Sequence, residues 1–356
     1  MNPSFWKGKK ILITGHTGFK GSWLSLWLQH LGSDLVGFSN SIPTNPSLFE
    51  DAKNENFMTS IKGDIRNYNE LKQVFLKFKP EIIFHLAAQS LVHHSYENPA
   101  ETYATNVMGT VNLLEIVRET KIPKVVINVT SDKCYKNINS LKGNVESDAL
   151  GGYDPYSSSK ACAELVIDSY RNSFFNISEF EKHNIAISSV RAGNVIGGGD
   201  WAENRLIPDI MRGIQNKNEI KIRNPKAIRP WQYVLDPLNG YLILGEKLWD
   251  NGAKFSEAWN FGPTEEEPKT VSWIFEKIQQ YLGLEIKLIM EDKKFNHESG
   301  ILILNSDKAK TRLGWRSKID INMGIKFVVE WYKQHQQKND MRKISLEQIR
   351  MFEELN

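Results

Sequence analysis

The chain has 356 residues, 40% hydrophobic and 24% charged, enough to bury a sizeable core and long enough to predict about two domains, so disordered and fibrous classes are excluded. Lys plus Arg (45) against Asp plus Glu (42) leaves a formal charge of +3 with no basic block, and nucleic acid is not an expected partner. Cys134 and Cys162 fit neither a metal site nor a disulfide framework, which points to a reducing cytoplasm.

The N-terminus runs into Ile11-Leu12-Ile13 without the apolar region of a signal peptide, and no later stretch reaches the ~18 apolar residues of a membrane span. No membrane association is expected. Strand patterns then fall at Lys10 to Thr14, Asp34 to Phe38, Phe57 to Lys62, Glu81 to Leu86, Lys124 to Val129 and Ile185 to Val190. Helical patterns alternate with them at Lys20 to Leu31, Tyr68 to Lys77, Ala100 to Thr120 and Ser157 to Phe175. This order predicts an α/β fold, a Rossmann-like doubly wound parallel sheet. Beyond Arg191 the rhythm breaks into loops holding Gly, Pro and Trp, and the apolar pieces Tyr233 to Trp249 and Trp259 to Phe261 read as a return to the first domain. The expected division is 1–190 plus about 225–265 for a cofactor-binding domain, about 191–224 plus 266–345 for a smaller α/β substrate domain, and 346–356 as a tail. From Lys333 onward the polar sequence reads as a solvated terminal helix.

Directly after the first strand, Gly15-His16-Thr17-Gly18-Phe19-Lys20-Gly21 is a GxxGxxG opening a helix. Glycines there permit a tight turn and close approach of backbone N–H groups to a pyrophosphate, which the helix N-terminus favours. The second strand ends Gly37-Phe38-Ser39-Asn40, without the acid that usually binds an adenosine ribose. No Arg stands nearby for a 2′-phosphate, so NAD is favoured over NADP, with Ser39 or Asn40 as ribose partner. Lys20 either projects toward the phosphates or faces solvent, and Asp64-Ile65 is placed to frame the adenine.

Tyr156 and Lys160 form a YxxxK pair one helical turn apart, so both share a face, and an ammonium beside a phenol favours the phenolate. Ser131 stands at the C-terminal end of the preceding strand, where ligands of doubly wound sheets collect. Ser131, Tyr156 and Lys160 behind the glycine loop resemble the extended short-chain dehydrogenase/reductase superfamily. His85-Leu86-Ala87-Ala88-Gln89 and Asn106 match further superfamily positions, the first lining the cofactor and the second structural. Thr130-Ser131-Asp132-Lys133-Cys134-Tyr135 is more specific: Asp-Lys in place of Asp-Glu resembles the CDP-glucose 4,6-dehydratases. Thr44 to Glu50, Asp154 to Lys160, Arg191 to Trp201 and Arg229-Pro230-Trp231-Gln232 extend the likeness from about Trp6 to Trp331.

That resemblance implies a redox-neutral lyase with NAD as cofactor and CDP-glucose as substrate, supplying a deoxysugar for a bacterial surface polysaccharide. Tyr156 is then the base at the sugar O4, Lys160 lowers its pKa and holds the nicotinamide ribose, and Ser131 orients the substrate oxygen. Oxidation at C4 acidifies C5–H, Asp132 protonates the departing C6 hydroxyl, Lys133 takes the C5 proton, and hydride returns to C6. Lysine is a base only when neutral, so this role requires burial or the Lys160 cation to depress its pKa; the alternative is that Lys133 merely pairs with Asp132. Asn194, Gly199, Asp200, Trp201, Arg205 and Arg229 are the candidates for the nucleotide sugar, since arginine forks and backbone N–H groups suit a diphosphate. Trp201 and Trp231 either stack on the ligand or belong to the core. His93-His94 reads as a surface pair, and the implied reaction needs no metal. The loop between Asn137 and Gly151 departs from the family pattern, which leaves the base and sugar open. A sugar-nucleotide 4-epimerase would share Ser131, Tyr156 and Lys160 without needing Asp132 and Lys133; a non-catalytic NAD-binding protein would need none of them. Helices Ala100 to Thr120 and Ser157 to Phe175 could pair across a two-fold axis in a homodimer or homotetramer, or face the sheet.

Overall fold

The structure, a computed structural model, describes residues 1–137, 142–215, 220–222, 224–263, 269–285, 288–290 and 301–355. Seven strands, β1 (Lys10–Thr14), β2 (Asp34–Ser39), β3 (Thr59–Lys62), β4 (Ile82–His85), β5 (Val125–Val129), β6 (Ala186–Ala192) and β7 (Ala258–Phe261), form one sheet in the order β7-β6-β5-β4-β1-β2-β3. All neighbours pair in parallel. The order reverses between β1 and β4, which opens a crevice at the carboxyl ends of those strands.

The strands are continuous apolar runs because both faces are covered, and alternate residues serve the two layers. Ile11, Ile13, Ile82, Phe84, Val125 and Ile127 face a core with α1 (Phe19–His30) and a long helix at Leu235–Phe255. Leu12, Ile83 and Val126 face the other core, built with α2 (Tyr68–Phe78), α3 (Gly109–Thr120) and α4 (Pro155–Ser173). Each fully buried side chain of this kind stabilises by about 1.5–3 kcal/mol relative to exposure, so the sheet is the rigid platform on which the site rests.

Two expectations fail. The single helix over Ala100 to Thr120 is broken into Pro99–Tyr103, a π-helical turn at Ala104–Met108 and α3. In that turn the Asn106 side chain accepts from Gln89 N (2.8 Å) and donates to Gln89 O (3.0 Å) and Ser159 Oγ (2.8 Å), an anchorage that the wider turn accommodates. The solvated tail is instead a capped helix, Met341–Glu354, whose Met341, Ile349 and Phe352 are buried. Its Glu353 accepts from Trp27 Nε1 of α1 (2.8 Å), and Phe352 packs edge-on to Trp27. A few apolar residues at helical spacing within a charged sequence were enough to dock it. Among the described residues no helix is long and apolar enough to cross a membrane.

Candidate active site

A cavity of about 1100 Å³ opens at the carboxyl ends of the central strands. On one side the glycine loop is packed too tightly for side chains. Gly15 has φ +75° and a Cβ there would lie 2.7 Å from Ala87 N; a Cβ on Gly21 would lie 2.1 Å from Gly15 O. The first turn of α1, with Gly18, Phe19 and Lys20, therefore lines the cavity. Thr17 Oγ1 donates to Ser41 O (2.7 Å) and ties the loop to the end of β2. There Ser39 Oγ is buried with no hydrogen-bond partner, while Asn40 is exposed at the rim and accepts from Ser41 Oγ. Asp64 and Ile65 line the same end, but the Asp64 carboxylate is held by Arg66 at 2.6 Å, a hydrogen-bonded pair that keeps it below the usual range. Ala87, Ala88 and Gln89 form the opposite wall, with the Gln89 amide spent on Leu91 O (3.1 Å) and Thr102 Oγ1 (2.9 Å).

These residues fit a dinucleotide: a helix N-terminus without competing side chains for the pyrophosphate, and an orphaned Ser39 hydroxyl for a ribose. His16 was not singled out in the sequence. Its ring is 1% exposed, bonds Ser60 Oγ at 2.8 Å, and burial lowers it to about 4, so it is neutral. It fills the space above Gly37, where a Cβ would come within 2.3 Å of the ring; the glycine inside β2 was the available signal.

On the other side, Asp154 caps α4 by accepting from Ser157 N (2.9 Å) and Ser157 Oγ (2.6 Å), and Pro155 opens the helix. This cap sets Tyr156 on the first turn and Lys160 one turn further. The Tyr156 phenol hydrogen-bonds Ser131, and Ser131 Oγ donates to Asp132 Oδ1 (3.0 Å). Asp132 is 2% exposed and its Oδ2 is buried with no partner. Burial pushes Tyr156 up to about 12, opposed by the Ser131 hydrogen bond and the Arg205 charge. Lys160 Nζ donates to Val129 O (3.3 Å), and burial lowers its pKa to about 8 against the charge of Glu164.

Lys133 is half-buried at the cavity wall, and no ion pair joins it to Asp132 among the described residues. Lys20 points into the cavity rather than to solvent: burial and the charges of Lys160 and Arg205 lower it to about 8, with Asp132 opposing.

The far wall is the segment after β6. Gly199 has φ +75°, and a Cβ there would lie 2.7 Å from Leu48 Cβ. Asp200 is held by Tyr332 OH at its carbonyl, and its Oδ2 accepts from Arg205 Nη1 (3.0 Å). Arg205 Nη2 reaches Ser90 Oγ (3.1 Å), so the guanidinium bridges this segment to the turn after β4. Trp201 packs 5.0 Å from both Tyr332 and His335, yet an edge lines the cavity. Asn194 and Arg229 line it too; Asn194 O accepts from Gln232 N (3.0 Å) and Arg229 donates to Ile228 O (2.9 Å). Trp231 donates to Lys269 O (3.1 Å). His93 pairs with Glu97 (3.4 Å) and His94 with Glu101 (3.0 Å). Of the divergent loop, Ile138, Asn139, Ser140 and Leu141 lie outside the described residues. Sequence reasoning missed Tyr96, whose buried hydroxyl has no partner in this cavity wall, and Glu164. No pattern flagged Tyr96; Glu164 was visible as the residue one turn after Lys160.

The family model described as GDP-mannose 4,6 dehydratase matches residues 12–328. The CDP-glucose 4,6-dehydratase of Salmonella typhimurium is 50% identical over 333 residues, 94% of this chain and 93% of that protein. The CDP-paratose 2-epimerase of Salmonella typhi is 26% identical, covering 90% of this chain and 98% of that one. Among solved structures, the dTDP-glucose 4,6-dehydratase of Bacillus anthracis in complex with NAD superposes with a TM-score of 0.77 at 22% identity, over 94% of this chain and all of that one (100%), a likeness of fold. On the family model and the Salmonella relative together, the chain belongs to the GDP-mannose 4,6-dehydratase family of the extended short-chain dehydrogenases/reductases.

Proposed function

We propose that the protein is an NAD-dependent hydro-lyase that converts CDP-glucose to CDP-4-keto-6-deoxyglucose. The observation that carries this reading is Asp132: a carboxyl group with one oxygen on Ser131 and the other, free to carry a proton, buried and unpartnered in the cavity that holds Tyr156. A 4-epimerase has no use for a proton donor there. The name of the half-identical Salmonella relative supports the same choice.

NAD fits the glycine cradle, with Ser39 at the adenosine ribose and Lys160 at the nicotinamide ribose; when bound it accepts a hydride and gives it back within one turnover. Tyr156 receives the O4 proton, and its link to Ser131 places the hydroxyl that orients the same oxygen. The 4-ketone acidifies C5–H, Lys133 stands at the wall to take that proton, and Asp132 gives one to the C6 hydroxyl as it leaves. Arg205, Arg229 and Asn194 take the diphosphate and its nucleoside, with Gly199, Asp200 and Trp201 shaping their wall. In this reading the sheet, with its return through 225–265, carries the cofactor and the remaining C-terminal segments carry the nucleotide sugar. A cytoplasmic location and a homodimer or homotetramer complete it, the pairing surface being the exposed apolar positions Tyr103, Met108 and Leu165 near α3 and on α4. A panel of CDP-, dTDP-, GDP- and UDP-glucose, monitored for a 4-keto-6-deoxy product, tests the proposal. Product from CDP-glucose alone is the expected result; a C4 epimer without loss of water would overturn it.

A further inference from the structure

We propose that Glu164 is a positioning residue that keeps the Lys160 ammonium charged and seated against the end of β5. The inference rests on the reading of Tyr156 and Lys160 as working machinery, and its geometry is independent of the substrate. Glu164 stands one turn after Lys160 on α4, and the two side chains dock on consecutive residues. Lys160 Nζ donates to Val129 O (3.3 Å), and Glu164 Oε1 accepts from Thr130 Oγ1. The second carboxylate oxygen accepts from Ser189 Oγ (2.7 Å) and Arg191 Nη2 (2.7 Å), both on β6. Arg191 continues to Tyr135 OH (2.7 Å) and Glu146 O (3.1 Å), and Tyr135 OH donates to Asn260 Oδ1 (2.7 Å). The carboxylate thus also braces the turn that carries Asp132 and Lys133.

Side-chain exposures of 3% and 4% make Glu164 and Arg191 a buried ion pair. Such a pair is expensive to desolvate, and well-packed apolar residues often stabilise as well or better. Packing alone therefore does not account for it; what an apolar pair cannot supply is a negative charge beside Lys160. The other groups facing Lys160 do not supply one either. His85 on β4 is held neutral, its pKa lowered to about 3 by burial; burial raises the Cys134 thiol; Lys20 on α1 adds a like charge. Tyr156, on the same helix, is a phenol, and Asp132, hydrogen-bonded to Ser131, is the protonated donor of the proposed reaction. Burial pushes Glu164 up, but the Arg191 charge and its hydrogen bonds outweigh this and keep it ionised.

The direct test is competitive labelling of Lys160 with an acylating reagent across pH, in the full chain, read by peptide mass spectrometry. The wild-type midpoint is expected near 8. Glu164→Gln should lower it by about one pH unit or more, as loss of a neighbouring opposite charge does, and Glu164→Asp should restore most of the shift. Because Glu164→Gln leaves Arg191 buried and unpaired, Glu164→Gln with Arg191→Gln serves if the single variant does not fold, with the same downward shift expected. An unmoved midpoint in the folded variant makes Glu164 a strut and overturns the proposal. Single-turnover NADH formation from CDP-glucose should lose its alkaline limb at the pH where labelling rises. If Lys160→Met leaves that rate unchanged at all pH values, the role of Lys160 fails, while the labelling still decides the hold of Glu164 upon it.

Discussion

Asp132→Asn separates the two halves of the proposed reaction. Asparagine keeps the shape, and its oxygen can still accept from Ser131 Oγ, so the fold and the Tyr156 environment survive. Asparagine, like the protonated acid that the proposed reaction requires, places no negative charge beside the Tyr156 phenol, so C4 oxidation should be retained near neutral pH. Dehydration should fall, because the amide cannot give a proton to the C6 hydroxyl. A positioned general acid contributes roughly 10²–10⁴-fold, about 3–5 kcal/mol of barrier. With NAD and CDP-glucose in single turnover, the variant should build up NADH absorbance that decays 10²–10⁴-fold more slowly than in wild type, as estimated from that contribution. Quenched samples should hold 4-keto glucose that has not lost water. Equal loss of oxidation and dehydration would refute the division of labour between Tyr156 and Asp132.

Tyr156→Phe should abolish NADH formation even in single turnover; a persisting NADH signal would move the O4 base elsewhere. Lys133→Met should leave C4 oxidation measurable while blocking exchange of the C5 hydrogen with deuterated water, and near-normal exchange would reduce Lys133 to a structural residue. Asp236 gives a prediction about stability: its carboxyl, pushed from 3.8 up to about 7 by burial, accepts from Lys318 N (2.6 Å) and Ser317 Oγ (3.0 Å). A folded pKa above the unfolded one means stability that is full below pH 3.8 and is lost as pH rises to about 7, of the order of 4 kcal/mol from this group. Asp236→Asn should remove that part of the pH dependence in urea melts at pH 4 to 8; an unchanged slope would refute it.

How far the fold was legible follows from what each residue answers to. Strands such as Lys10 to Thr14 answer to burial on both faces, and their apolar runs were readable almost to the residue. Gly15 and Gly21 answer to backbone crowding, and Tyr156 with Lys160 to helical spacing, so both were visible locally. The π-turn at Asn106 answers to Gln89 and Ser159, and the terminal helix to Trp27, partners far away in sequence. Lys160 was placed correctly on its helix, but its direction depends on Val129 O and on a carboxylate engaged by β6, which no local pattern encodes.

The central claim is that one cavity oxidises C4, removes water and returns the same hydride to C6. CDP-glucose carrying deuterium at C4, turned over with NAD and followed by NMR, tests it most directly. The account predicts a 4-keto-6-deoxy product with the deuterium at C6; deuterium lost to solvent, or retained at C4 in an epimer, would contradict it.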